Sequence, residues 1–150
     1  MELYNNYNQH LRDIFGARIQ KISINAGFTC PNRDGTKGVG GCTFCNNVSF
    51  SPEYCLPTKD VVTQMKEGID FFSRYQGQKY LAYFQSFTNT YSSLSTLKKY
   101  YESIFELDNV IGIVVLRLMC SLFHILSLHI FPLLYLDNNQ ANKNQRNQDA

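Results

Sequence analysis

A chain of 150 residues is long enough for one domain with its own core, and 44% hydrophobic against 17% charged residues excludes disorder throughout. A net charge of +2, with a pI near 8.3, is too mild to argue for a nucleic-acid surface. The opening Met1-Glu2-Leu3-Tyr4-Asn5-Asn6 is polar and reads as no signal peptide, so five cysteines point to a reducing, cytoplasmic setting with free or metal-bound thiols.

Residues 1–16 place Leu3, Tyr7, Leu11, Ile14 and Phe15 at roughly helical spacing and predict a short amphipathic helix ending at Gly16. Its expected role is a cap over the first strand's edge or the floor of a barrel. Residues 18–25 follow, with Ile19, Ile22 and Ile24 as the apolar positions of a strand of about five or six residues that stops at Ala26-Gly27. This strand delivers the chain directly to Cys30, so the cysteine-rich run lies at a strand's carboxyl end, where α/β folds place their ligands.

After a loop through Pro52, Thr58 is read as the cap of a helix that Lys59-Asp60 begin. Val61, Val62, Met65, Ile69, Phe72 and Tyr75 recur at helical steps until Gln76-Gly77-Gln78 break the pattern. Residues 79–85 read as a buried strand, and Ser86 to Tyr91 as its carboxyl-end loop. Ser93 or Ser95 opens a further helix that presents Leu94, Leu97, Tyr101, Ile104 and Phe105 on one face. Residues 110–116 form a third buried strand. Strands alternating with helices of this length imply right-handed crossovers and a parallel sheet.

The alternation stops after residue 116. Residues 118–136 carry no formal charge and are near the length of a membrane span, but Pro132, His124 and His129 favour a buried helix over a span. Residues 137–150 hold eight Asn or Gln among fourteen and predict a disordered polar tail. The expected organisation is therefore a partial α/β core over 1–116, an atypical apolar segment over 117–136 and a tail over 137–150.

The chemistry is concentrated in Cys30, Cys42 and Cys45, separated by eleven and by two residues, with Gly35, Gly38, Gly40 and Gly41 between them. This run has no helical or strand period and reads as a flexible loop able to turn its thiols toward one point. Converging thiolates hold a metal or an iron–sulfur cluster. Three thiolates on a cubic [4Fe–4S] cluster leave one iron open to a chelating amino acid, such as the methionyl part of S-adenosylmethionine (SAM), whose sulfonium can accept the cluster's electron. Phe44 can shield the cluster and lie against the adenine, or be a plain core aromatic. Spacing alone leaves three readings open: this cluster, a tetrahedral zinc site with Cys55 as fourth ligand, and a redox dithiol of Cys42 and Cys45.

Several segments together resemble the YhcC-like radical SAM proteins, relatives of the radical SAM domain of the elongator catalytic subunit. They are Tyr4-Asn5-Asn6-Tyr7-Asn8, Phe15-Gly16, Ala26-Gly27-Phe28-Thr29-Cys30-Pro31-Asn32-Arg33-Asp34-Gly35-Thr36, Gly40-Gly41-Cys42-Thr43-Phe44-Cys45-Asn46 and Phe84-Gln85-Ser86-Phe87-Thr88-Asn89-Thr90-Tyr91. The resemblance runs from about residue 4 to about residue 115.

The resemblance implies the N-terminal part of a partial (βα) barrel. It implies a [4Fe–4S] cluster on Cys30, Cys42 and Cys45, with SAM at the open iron and reductive cleavage to a 5′-deoxyadenosyl radical. The loop after the second strand contacts the SAM amino group in such folds, which makes Gln85, Ser86, Thr88 and Asn89 candidate SAM contacts; their alternative is turn chemistry and helix capping. Cys55 and Cys120 match no ligand position. An electron donor such as flavodoxin or ferredoxin is implied, and kinship with the elongator enzyme makes a tRNA base a candidate substrate.

A six-unit partial barrel needs about 180 residues or more, whereas this chain has room for about three strands. The expectation is a replaced terminus beyond about residue 116, cluster binding that survives in part, and impaired turnover.

Overall fold

The computed structural model of the chain describes residues 4, 6–43, 45–47, 49 and 51–116. Phe44, Cys120, the apolar segment 118–136 and the tail 137–150 lie outside the described residues. Within them the order is helix α1 (Tyr7–Phe15), strand β1 (Ile19–Ile24), helix α2 (Val61–Phe71), strand β2 (Lys79–Phe84), helix α3 (Leu94–Ser103) with a 3-10 turn at Ile104–Glu106, and strand β3 (Val110–Val115). The expected alternation is present, in a sheet of order β1-β2-β3 with both neighbouring pairs parallel.

Register explains the core. Ile22 lies opposite Ala82 and Ala82 opposite Ile113, while Ile24, Phe84 and Val115 form the next row. Side chains two apart on a strand share a face, so both rows point to one side. Five of the six belong to one buried apolar cluster, with Val115 packed against it, joined by Val61 and Met65 of α2 and by Ile104 after α3. β2 is the central strand and buries Tyr80, Leu81, Ala82 and Phe84, as a continuous apolar run requires. The opposite side carries Lys21, held against the rings of Tyr7 in α1 and Tyr83 in β2.

Helix ends follow their side chains. Asn6 caps α1 by accepting from the Asn8 and Gln9 amides at 3.1 and 3.4 Å. Gly16 ends it at φ +64°, and the Lys79 ammonium donates to the Phe15 carbonyl at 3.1 Å. α2 starts later and stops earlier than its periodicity suggests. The cap is Asp60, not Thr58: its carboxylate accepts from Val62 and Thr63 amides at 3.0 and 2.9 Å. At the other end the Gln78 amide donates to the Phe72 carbonyl, closing the helix before Tyr75.

These Asp60 hydrogen bonds, first that of the Thr63 hydroxyl, hold its carboxyl below the ordinary 3.8. A depressed folded-state pKa gives stability that is complete above the unfolded value and is lost as pH falls through the folded one. Asp60→Ala is expected to lower stability by about 1 kcal/mol near neutral pH. Asp60→Asn should keep most of the cap while removing this contribution to the acid-side loss, as read from urea titrations between neutral and acidic pH.

α2 also approaches the sheet unusually closely, at Gly68. A Cβ built there would sit 2.3 Å from Ile22 Cγ2 and 3.0 Å from the Tyr54 ring, and Ile22 is fully buried. Gly68→Ala should therefore destabilise, although alanine gains about 1 kcal/mol of helix propensity. Forcing the methyl into a filled core costs about 1–3 kcal/mol, and 2.3 Å belongs at the upper end. The expected net loss is about 1–2 kcal/mol in urea unfolding, and a gain would show the helix free to shift.

Candidate functional site

The site grows from the carboxyl ends of β1 and β2. Just past β1, Asn25 is clamped by Gln64 of α2, a side chain with 0% exposure. Gln64 Oε1 accepts from Asn25 N at 2.9 Å, and Nε2 donates to the carbonyls of Asn25, Leu56 and Lys59 at 2.8, 3.0 and 2.9 Å. One amide thus ties the strand end, the approach to α2 and α2 itself together. The sequence reading missed it, because its apolar list passed over the polar residue on the buried stripe between Val61 and Met65. A neutral, uncharged amide on that stripe was the available signal.

Beyond this clamp Phe28 packs on Tyr100 of α3 with ring centroids 5.8 Å apart, and the chain enters the cysteine segment. This segment is a tightly hydrogen-bonded fold-back, where the sequence suggested a flexible loop. The Cys30 carbonyl accepts from Arg33 and Asp34 amides at 2.8 and 3.1 Å, and the Pro31 carbonyl from Lys37 and Gly38 amides at 2.8 and 3.2 Å. The Asp34 carboxylate accepts from Thr36 N at 3.0 Å. The Gly41 amide closes the turn on the Asn32 carbonyl at 2.9 Å.

Gly40 and Gly41 have φ +84° and +82°, backbone that a side chain adopts only under strain. A Cβ on Gly41 would also stand 2.7 Å from Arg33 Nε. The turn returns Cys42 to the start of the segment, where its sulfur accepts from Asn32 Nδ2 at 3.2 Å. The Cys45 amide in turn donates to the Cys42 carbonyl at 3.0 Å.

The loop after β2 is docked on this segment. Thr88 N donates to the Thr29 carbonyl at 3.3 Å, Thr36 Oγ1 and Tyr91 OH lie 3.1 Å apart, and the Arg33 guanidinium sits 5.2 Å from the Phe87 ring centroid. Phe87 takes φ +61°, a rare conformation for an aromatic residue. Asn89, also 0% exposed, donates from Nδ2 to the carbonyls of Phe84 and Leu116 at 2.9 and 3.1 Å, joining the ends of β2 and β3. Tyr101 OH donates to its carbonyl.

The four candidate contacts of this loop divide. Gln85 is half-buried and Ser86 buried. Thr88 and Asn89 are buried, and Thr88 Oγ1 and Asn89 Oδ1 have no hydrogen-bond partner among the described residues. Asn89 therefore has a structural role through its nitrogen and a vacant acceptor on its oxygen.

Cys30 is buried at 8% exposure, Cys42 and Cys45 are half-buried, and none of them is in a disulfide. Among the described residues no three His, Cys, Asp or Glu side chains stand close enough together to hold a metal ion. Cys55 lies elsewhere in environment: it is 2% exposed within the apolar core, and burial pushes its thiol up to about 11. No helix among the described residues is long and apolar enough to cross a membrane.

Comparison with known proteins gives relatives but no solved structure and no matching family model. The chain is 40% identical over 111 residues to the uncharacterized protein YtqA of Bacillus subtilis, covering 73% of this chain and 34% of that protein. It is 35% identical over 114 residues to protein YhcC of Escherichia coli K12, covering 76% and 36%. It is 27% identical over 113 residues to the uncharacterized protein MJ0486 of Methanocaldococcus jannaschii, covering 74% and 34%. The chain thus spans about a third of the length of the curated relatives it matches, and it is a partial-length homologue of these proteins.

Proposed function

We propose that the carboxyl edge of this sheet belongs to a radical SAM site, with Cys30, Cys42 and Cys45 as the thiolate ligands of a [4Fe–4S] cluster. The observation that carries the proposal is the docked pair of loops: the three thiols lie on one glycine-turned segment, seated against the β2 loop by Thr29, Arg33 and Thr36. The donor set suits the group in kind, since soft thiolates favour iron–sulfur clusters. The unpartnered Thr88 hydroxyl and Asn89 carbonyl oxygen, buried beside that segment, suit a polar ligand such as the aminocarboxylate of SAM. When bound, the cluster and SAM supply one-electron cleavage of a carbon–sulfur bond.

The chain's own residues bind, orient and exclude water. Gln64 and Asn89 fix the strand ends, Phe28 anchors the start of the cysteine segment on Tyr100 of α3, and the N–H groups of the turn limit how that segment can move. Phe44 remains a proposed cover for the adenine and Gln85 and Ser86 proposed contacts. The electron would come from a small donor of the flavodoxin or ferredoxin class. A zinc site with Cys55 as fourth ligand would require ionising a thiol that the core disfavours.

Anaerobic reconstitution with iron, sulfide and zinc counted per chain is the test. The expected result is a brown protein with about four irons and four sulfides. A single zinc bound through four sulfurs, Cys55 among them, would overturn the proposal.

A further inference from the structure

We infer that Asn32 is a positioning and tuning residue for this site, donating a hydrogen bond to the sulfur of Cys42. The inference rests on the cluster reading above. Asn32 contacts the far side of its own turn twice: its carbonyl accepts from Gly41 N at 2.9 Å, and its Nδ2 donates to Cys42 Sγ at 3.2 Å. The first bond is made by the backbone and would survive any side-chain change. The second belongs to the side chain alone, so the two roles can be separated.

The turn is also pre-set. Pro31 fixes one flank, the positive φ of Gly41 fixes the other, and the Arg33 side chain packs where a Gly41 Cβ would be. Asn32 therefore presents its amide to the sulfur without further rearrangement.

An N–H aimed at a ligand sulfur favours the more negative member of the cluster's one-electron couple. The electron enters from the outside reductant, formally reducing iron, and no bond to sulfur forms or breaks. Removing the donor disfavours the reduced form. Asn32→Asp replaces the donor with a carboxylate of the same shape and should act further in the same direction; Asn32→Leu removes the donor without adding charge.

The experiment is a mediated redox titration of the reconstituted chain, followed by the electron paramagnetic resonance of the reduced cluster. Asn32→Leu is expected to shift the reduced-to-oxidised ratio at fixed potential about tenfold toward oxidised, which is 59 mV for one electron. Asn32→Asp should shift it further, at wild-type iron content in both variants. Equal potentials in all three proteins would overturn the inference while leaving the cluster intact. Wild-type chain that binds no iron would instead overturn the cluster reading.

If neither variant loads, the wild-type protein decides. With ¹⁵N placed in the asparagine side-chain amides, coupling of an amide nitrogen to the reduced cluster supports the bond, and its absence overturns it.

Discussion

Serine in place of Cys30, Cys42 or Cys45, one at a time, is expected to lower reconstituted iron from about four per chain to below about one. The same experiment on Cys55→Ala should leave iron unchanged. The contrast follows from where the sulfurs sit. Cys30 and Cys42 are pinned within one turn, through the Cys30 carbonyl and the Asn32 amide, and Cys45 follows by a further turn on the Cys42 carbonyl. Cys55 instead belongs to the core with Ile22, Ile24 and Met65. Its loss should appear as stability, about 1 kcal/mol for a small buried side chain, and not as metal. Iron and sulfide analysis with the visible spectrum checks both halves. A Cys55→Ala protein stripped of metal would restore the four-sulfur zinc alternative.

What was legible in the sequence was what local chemistry decides. Ile22 and Ile24 mark β1 by alternation, the run from Lys79 to Phe84 marks β2 by being apolar on both faces, and Ser93 does cap α3, accepting from Thr96 N at 3.2 Å. The parallel order follows from the helices between them. What stayed hidden depends on partners distant in sequence. Thr58 reads as the cap from sequence, but the Val62 and Thr63 amides turn to the Asp60 carboxylate instead. Periodicity carried α2 to Tyr75 because it cannot register Gln78 taking the Phe72 carbonyl.

The same holds for the candidate site. Cysteine spacing located it, but Asn32 facing Cys42, Arg33 over Phe87 and Thr36 beside Tyr91 depend on two loops meeting at one sheet edge. Gln64 and Gly68 were hardest to see. On a helical stripe one looks like a polar interruption and the other like a weak point, yet one is the clamp and the other the closest contact with β1.

Gln64→Leu should cost about 3 kcal/mol or more, a large part of the 5–15 kcal/mol that holds a typical domain together. The leucine fits the volume but removes the donor to the Asn25 and Lys59 carbonyls and leaves Asn25 N with only the Cys55 thiol, and each orphaned group costs about 1–3 kcal/mol. The Leu56 carbonyl suffers less, because it also accepts from Lys59 N at 3.0 Å. The damage should reach the site, because Asn25 precedes the cysteine segment by only a few residues; iron loading is expected to fall with stability.

Gln64→Glu separates charge from shape. The carboxylate can still accept from Asn25 N but would face the carbonyls of Asn25, Leu56 and Lys59. Burial and those carbonyl oxygens both disfavour ionisation, so the introduced acid's folded-state pKa lies above its unfolded value. The folded state then binds more protons than the unfolded one between those two values, and stability must fall as pH rises through that window. Urea midpoints of Gln64→Glu are therefore expected to recover toward wild type on acidification, with Gln64→Leu showing no such recovery. Parallel pH profiles for the two variants would mean that Gln64 holds α2 by packing alone.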